Sequence, residues 1–246
     1  MFCDVVDLHT HTLASGHAYN TIYEMVHSAS SKGVQLLGIS DHGPAMEGSA
    51  CKHYFRASRR IPRELNNVKL LFGVEYNIID FHGNVDLDET FSAPLDYAIA
   101  SMHVECIQPG SVAENTSAYL GVMYNPKVFI LGHPDDGTFE VDFELLARAA
   151  AQNHILIELN EASVRPGSYR ENARQNAYRM LSACKRNGTH IVVSSDAHVE
   201  TEVLNHHYAL QMLEDIQFPE ELIVNTSVQK VMDLLDARRS YVNGAK

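Results

Sequence analysis

The sequence is short of basic residues: 19 Lys and Arg stand against 31 Asp and Glu, a net charge of −12. Proteins that live on polyanions are usually basic, so the acidic excess argues against long nucleic acid as the main partner, although bound cations would offset part of it. Cysteine is scarce too. Cys3, Cys51, Cys106 and Cys184 lie far apart and form no CxxC pair. This excludes a disulfide framework and predicts reduced thiols. No apolar run approaches the ~18 residues needed to span a bilayer, so no membrane helix is expected. Met1-Phe2-Cys3-Asp4 runs straight into Val5–Leu8 with no basic region and no small-residue cleavage site. The expectation is a chain without a secretory leader, residing in the cytoplasm. No GxSxG elbow is present, which removes the commonest serine-nucleophile signature.

What remains is a chain of 246 residues with 45% hydrophobic and 20% charged residues, enough for a full core. The unusual feature is histidine, which occurs 14 times. It is the commonest metal ligand and the physiological proton carrier.

Short apolar runs recur along the chain: Val5–Leu8, Leu36–Ile39, Leu70–Val74, Tyr97–Ala100, Val128–Leu131, Ile155–Leu159 and Ile191–Val193. They read as strands buried on both faces, the signature of a parallel sheet. Helical patterns fill the gaps. Capping boxes stand at Thr21–Glu24, Ser111–Glu114 and Ser168–Glu171. Apolar stripes run through Phe143, Leu146, Ala147 and Ala150, and through Ala173, Ala177, Met180, Leu181 and Cys184. Ser227 is placed to cap a last helix. The stretch 45–65, with four arginines, reads as a loop with a short helix. The run ends His9, His42, Glu75, His103, His133, Asn160 and Asp196 are spaced by 27 to 36 residues, close to the length of a βα unit. Seven such units without a composition break predict one α/β domain over residues 1–246. The predicted form is a distorted seven-stranded TIM-like barrel, with an open doubly wound sheet as the alternative.

Six of the seven runs end in a His, Asp or Glu. The first gives His9 and His11, with His17 shortly after. The others give His42, Glu75, His103, His133, and Asp196 with His198. In a barrel those ends converge on one mouth. His9 and His11, two apart on a strand, point to the same face. Imidazole and carboxylate suit Zn, Mn or Fe, and nine such groups exceed what one tetrahedral ion takes. Two or three ions fit better, with Glu75 able to bridge. Each residue alone has a plainer role as a satisfied turn, cap or surface residue; the shared address makes the metal reading. His27, His53, His82, His154, His190, His206 and His207 lack that address and read as ordinary loop or helix residues, with His53 and His82 on mouth-side loops. Asp7 and Asp41 either hold an imidazole N–H or bond the loops. Glu158 interrupts an apolar strand, and a charge there needs a partner.

The motifs DLHTHT (7–12), SDH (40–42), GVE (73–75), SMH (101–103), GHP (132–134) and SDAH (195–198) resemble those of the PHP (polymerase and histidinol phosphatase) superfamily. The likeness is strongest to small single-domain bacterial PHP phosphatases with a trinuclear zinc site. It implies a distorted seven-stranded barrel and three divalent ions, Zn foremost, with Mn or Fe as alternatives. It would place one ion on His9, His11, Glu75 and Asp196, a second on His17, His42 and His198, and a third on Glu75, His103 and His133. It also implies a small homo-oligomer, a trimer among the candidates.

The implied reaction is hydrolysis of a small phosphomonoester by a metal-bound hydroxide. A metal clamp benefits from an arginine on the phosphoryl oxygens. Arg165, on the loop after the sixth run, is the first candidate and Arg170 the second. The competing readings are an amidohydrolase-type hydrolase, a PHP-type nuclease and a degenerate metal-binding module. The first leaves His17 and His42 without a task, the second sits badly with the acidic charge, and the third predicts lost ligands.

Overall fold

A computed structural model describes residues 3–244. Its strands are β1 (Val6–Asp7), β2 (Leu36–Ile39), β3 (Glu64–Leu65), β4 (Val68–Phe72), β5 (Glu75–Asn77), β6 (Ala98–Ser101), β7 (Val128–Leu131), β8 (Leu156–Asn160) and β9 (Ile191–Ser194). The helices are α1 (Ile22–Ser31), α2 (Lys52–Arg56), α3 (Glu89–Ser92), α4 (Val112–Val122), α5 (Phe143–Gln152), α6 (Glu161–Val164), α7 (Ala173–Asn187), α8 (His207–Asp215) and α9 (Val228–Gly244). The fold is α/β, with mostly parallel strands and helices in the crossovers.

The strands form two sheets, ordered β1-β2-β4-β3 and β5-β6-β7-β8-β9. Every pairing is parallel except β3 on β4. The single apolar run predicted at 70–74 is divided, because Gly73 and Val74 interrupt it between β4 and β5. The expected closed cylinder is therefore seen as two sheets. Single-residue parallel bridges join them, Thr10 to Ala197 at one junction and His42 to Glu75 at the other.

Buried side chains of both sheets meet in one inner cluster that includes Val6, Leu8, Leu36, Tyr97, Ile99, Phe129 and Val192. Tyr97 is its floor. A Cβ on Gly38 would lie 2.1 Å from the Tyr97 hydroxyl oxygen, and one on Gly73 would lie 2.8 Å from its ring, so both glycines are required by close approach. Val231 and Leu235 of α9 join the same cluster. Arg238 ties α9 to the sheet through the carbonyls of Met123, Asn125, Val128 and Asn153. A larger outer core packs the helices on the strands, and both apolar stripes read from the sequence lie buried.

Thr21 and Ser111 form the expected capping boxes. The third does not form. Helix α7 begins at Ala173 after Asn172, whose φ of 50° gives no side-chain cap, and Ser168 instead accepts from the backbone N–H of Arg170. The intervening segment instead turns Arg170 inward, onto Asn160, Ser163 and Asp196. Ser227 accepts from the N–H of Gln229 at the start of α9.

Candidate metal centre

All nine predicted ligands come together at the carboxyl ends of the strands. His9 and His11 follow β1 on one face, their ring centroids 5.0 Å apart. His9 Nε2 lies 3.3 Å from Glu75 Oε2 and 3.6 Å from Asp196 Oδ1. His11 Nε2 lies 3.2 Å from Asp196 Oδ1. On the other side of Glu75, His103 Nε2 is 3.3 Å and His133 Nε2 3.0 Å from Oε1. Three sets bring their donor atoms within 4.8 Å of one another: His9, His11 and Asp196; His42, Glu75 and His103; and His11, His42 and His198. His42 thus stands between the groups rather than in the His17 set alone. His17 is the outermost member. It is exposed, with its Nε2 3.0 Å from His198 Nε2.

The orphaned atoms matter more than the distances. His9 Nε2, His11 Nε2, His42 Nδ1 and Glu75 Oε2 are all buried and have no hydrogen-bond partner. His42 Nδ1 is only 2.7 Å from Glu75 Oε2, yet the two are misaligned for a hydrogen bond. Buried polar atoms left unpaired cost about 1–3 kcal/mol each. Close, converging and misaligned lone pairs are what ligands aimed at a shared cation present. The donor set, imidazole and carboxylate without thiolate, fits Zn, Mn or Fe.

The electrostatics agree. Burial would raise the Glu75 and Asp196 carboxyls, but the surrounding imidazoles, with Arg170 beside Asp196, hold both well below the usual range. Burial and the neighbouring His198 and His42 rings hold His11 well below its usual value, in the neutral form a ligand needs. Burial opposes charge on His9 as well, but Glu158, Glu75 and Asp196 outweigh it and raise that group. Two ionised carboxylates thus sit among imidazoles that compete for few protons.

A supporting layer fixes the rings. Glu158, fully buried, sets Oε1 2.7 Å from His9 Nδ1 and accepts the His133 N–H on Oε2. That answers the question of its partner. Asn77 Oδ1 lies 2.7 Å from His103 Nδ1 and Ser15 Oγ 2.9 Å from His11 Nδ1. Asp41 organises the first loop by accepting from Thr12, Ser15 and Tyr54, and reaches His11 only through Ser15. Asp7 accepts from Ser195 and Leu204 and touches none of the nine. Asn77 was missed from sequence, yet its signal was present: Glu75–Asn77 and Glu158–Asn160 repeat the i, i+2 spacing of His9–His11. His133 and Asp196 have φ of 29° and 56°. Such strained backbone in non-glycine residues collects at functional sites.

The cluster floors a cavity of about 500 Å³ whose wall includes Met46, Met102, Phe139, Tyr169 and Arg170. Four carboxylates, Glu47, Glu105, Asp136 and Glu171, also line it. Arg165 does not. Its guanidinium is held by Glu202 at 2.6 Å on a partly exposed surface, so the first choice of arginine is corrected. Arg170 lines the cavity, buried and braced by Asn160, Ser163 and Asp196. His53 packs on Phe91, and neither it nor His82 lines the cavity.

The model of the PHP domain matches residues 7–162. A probable phosphatase of Caldicellulosiruptor saccharolyticus is 40% identical over 96% of this chain and 97% of its own. One from Clostridium botulinum is 42% identical over 94% of each. Among solved structures, histidinol phosphate phosphatase from Lactococcus lactis, complexed with zinc, L-histidinol and phosphate, superposes with a TM-score of 0.61. It has 19% identity and covers 88% of this chain and 95% of that one. Near-full-length identity at this level, together with the family match, settles kinship: the chain belongs to the PHP domain family.

Proposed function

We propose that this protein is a metal-dependent phosphatase that hydrolyses a small phosphomonoester. The observation that carries the reading is the set of buried, unpartnered donor atoms on His9, His11, His42 and Glu75. His9, His11, Glu75 and Asp196 would hold one ion, and Glu75, His42, His103 and His133 another. His17 and His198 would complete a third. Zinc is the first expectation, as in the Lactococcus lactis enzyme. Bound divalent ions would supply Lewis acidity and make hydroxide available near neutral pH.

The chain's own residues do the rest. Arg170, fixed from three sides, binds non-bridging phosphoryl oxygens in bidentate fashion and stabilises the charge that develops there. Glu158 holds His9 with its Nε2 lone pair turned to the centre. The cavity volume suits a metabolite-sized ligand. Its four rim carboxylates repel a polyanion, which supports a monoester over nucleic acid. We read the two sheets as a distorted seven-stranded barrel, with β4 and β5 as one broken strand, and residues 1–246 as one domain.

The test is a turnover panel with added Zn or Mn. It compares p-nitrophenyl phosphate, histidinol phosphate, a single-stranded oligonucleotide and an N-acyl amide. Metal-dependent turnover of the monoesters is expected. Preference for the amide or the oligonucleotide refutes the reading.

A further inference from the structure

A second cavity, of about 210 Å³, lies between α2, the turn that follows it and the edge of β4. Phe55, Ile61, Phe72 and Leu95 give it an apolar wall. It exceeds the ~150 Å³ apolar cavity that takes up benzene in an engineered protein. One polar feature points to an occupant. Arg60, exposed at the same cavity, makes no ion pair among the described residues, whereas the neighbouring Arg63 is paired to Asp96. An apolar chamber with a free guanidinium beside it is complementary to a small molecule with an apolar body and an anionic head.

We propose that this cavity is a second binding site, for a small aryl carboxylate, and that its occupancy is felt at the metal centre. The connection is short. Tyr54 and Asp41 line the cavity, and the Tyr54 hydroxyl donates to Asp41 Oδ2 at 2.6 Å. Asp41 Oδ1 accepts from Ser15 Oγ at 2.7 Å, and Ser15 Oγ accepts the His42 N–H and faces His11 Nδ1. A ligand that shifts Tyr54 therefore shifts the group that orients two of the proposed metal ligands. The binding half stands on the cavity alone; the coupling half rests on the phosphatase reading.

The experiment is calorimetric titration of the zinc-loaded full chain with phenylacetate, and with benzyl alcohol as the neutral comparison. Saturable phenylacetate binding is expected, with benzyl alcohol at least about tenfold weaker for want of the charged contact. Arg60→Gln, on the surface, weakens phenylacetate binding by a similar factor. Ile61→Trp fills the chamber and abolishes it. No saturable binding, equal binding of benzyl alcohol, or binding unchanged in both variants overturns the site. The last of these would locate the carboxylate on the metal instead. Saturating phenylacetate is expected to change p-nitrophenyl phosphate turnover at least twofold in the parent and not in Ile61→Trp. Binding with turnover unchanged overturns the coupling while leaving the phosphatase reading intact.

Discussion

Glu158→Gln is the sharpest test of the centre, because it keeps shape and removes one charge. In the native protein Oε1 faces His9 Nδ1 at 2.7 Å, while Oε2 accepts from the His133 N–H at 2.8 Å and from Asn160 Nδ2 at 3.1 Å. Both oxygens are acceptors, so His9 carries a proton on Nδ1, and a cation that displaces the Nε2 proton meets a lone pair there. A glutamine has one acceptor and one donor end. If its oxygen faces His9, its NH2 meets the His133 N–H and the Asn160 amide, donor against donor. If it flips, the NH2 meets His9 Nδ1 and favours the tautomer with the proton on Nε2, which cannot ligate. The first outcome leaves buried donors mispaired at about 1–3 kcal/mol; the second pairs every group but takes the Nε2 lone pair of His9 away from the centre. Loss of a carboxylate behind a ligating histidine typically costs about 10–100-fold in metal affinity or activity. The assay strips the variant with a chelator, dialyses it against graded zinc, and reads metal per chain alongside p-nitrophenyl phosphate turnover. The half-saturating zinc concentration should rise by about one to two orders of magnitude. A variant that holds zinc like the parent would refute the supporting role of Glu158 and the metal role of His9 with it.

Arg170→Ala should lower kcat/KM for p-nitrophenyl phosphate by about 10²–10³, the usual cost of losing one preorganised donor to developing charge. Arg165→Ala, which breaks only a partly exposed pair with Glu202, should stay near the parent in the same assay. His103→Ala should abolish turnover while the thermal midpoint barely moves, because its ring lies at the mouth above the core; a grossly unfolded variant counts against this. Stability should also report His206, whose imidazole is buried with Nδ1 2.7 Å from Asp4 Oδ2. Burial opposes its charge, but Asp4 and Asp7 raise it to about 10. A raised folded-state value means the stabilisation is complete below about pH 6.5 and is lost as pH climbs through about 10, at up to about 1.4 kcal/mol per pH unit. Denaturant melts between pH 7 and 10 should show that slope in the parent and not in His206→Leu.

Much of the fold could be read from the chain because parallel strands are covered on both faces and leave uninterrupted apolar runs. Leu36–Ile39 and Val128–Leu131 coincide with β2 and β7, and the remaining runs shift by one to three residues at an end. What escaped has no such run. The two-residue β3 pairs antiparallel with β4, with only Leu65 apolar on it. Helix α8 begins after His206, which offers no side-chain cap. The break at Gly73-Val74 was hidden inside an apolar stretch, and the ring packed against Gly73 comes from Tyr97, just before β6 and distant in sequence.

The site divides along the same line. The residues that gather in the cluster were legible because nearly all of them stand just past a strand end, an address fixed by local sequence. The choice between two arginines was not, because it depends on how the segment from Arg165 to Asn172 turns between β8 and α7. There Ser168 resembles a helix cap, and the capping-box pattern of Ser168–Glu171 pointed to a helix starting there. Starting it there would carry Arg170 into the first helical turn. The chain instead delays the helix to Ala173, with Asn172 at a φ of 50°, and Arg170 reaches Asn160, Ser163 and Asp196. A buried guanidinium needs its acceptors around it, and those lie on β8, α6 and the end of β9, far away in sequence. Local capping is worth about 1 kcal/mol. Hydrogen bonds to a charged group contribute about 1.5–3 kcal/mol each, and three of them outweigh the lost cap.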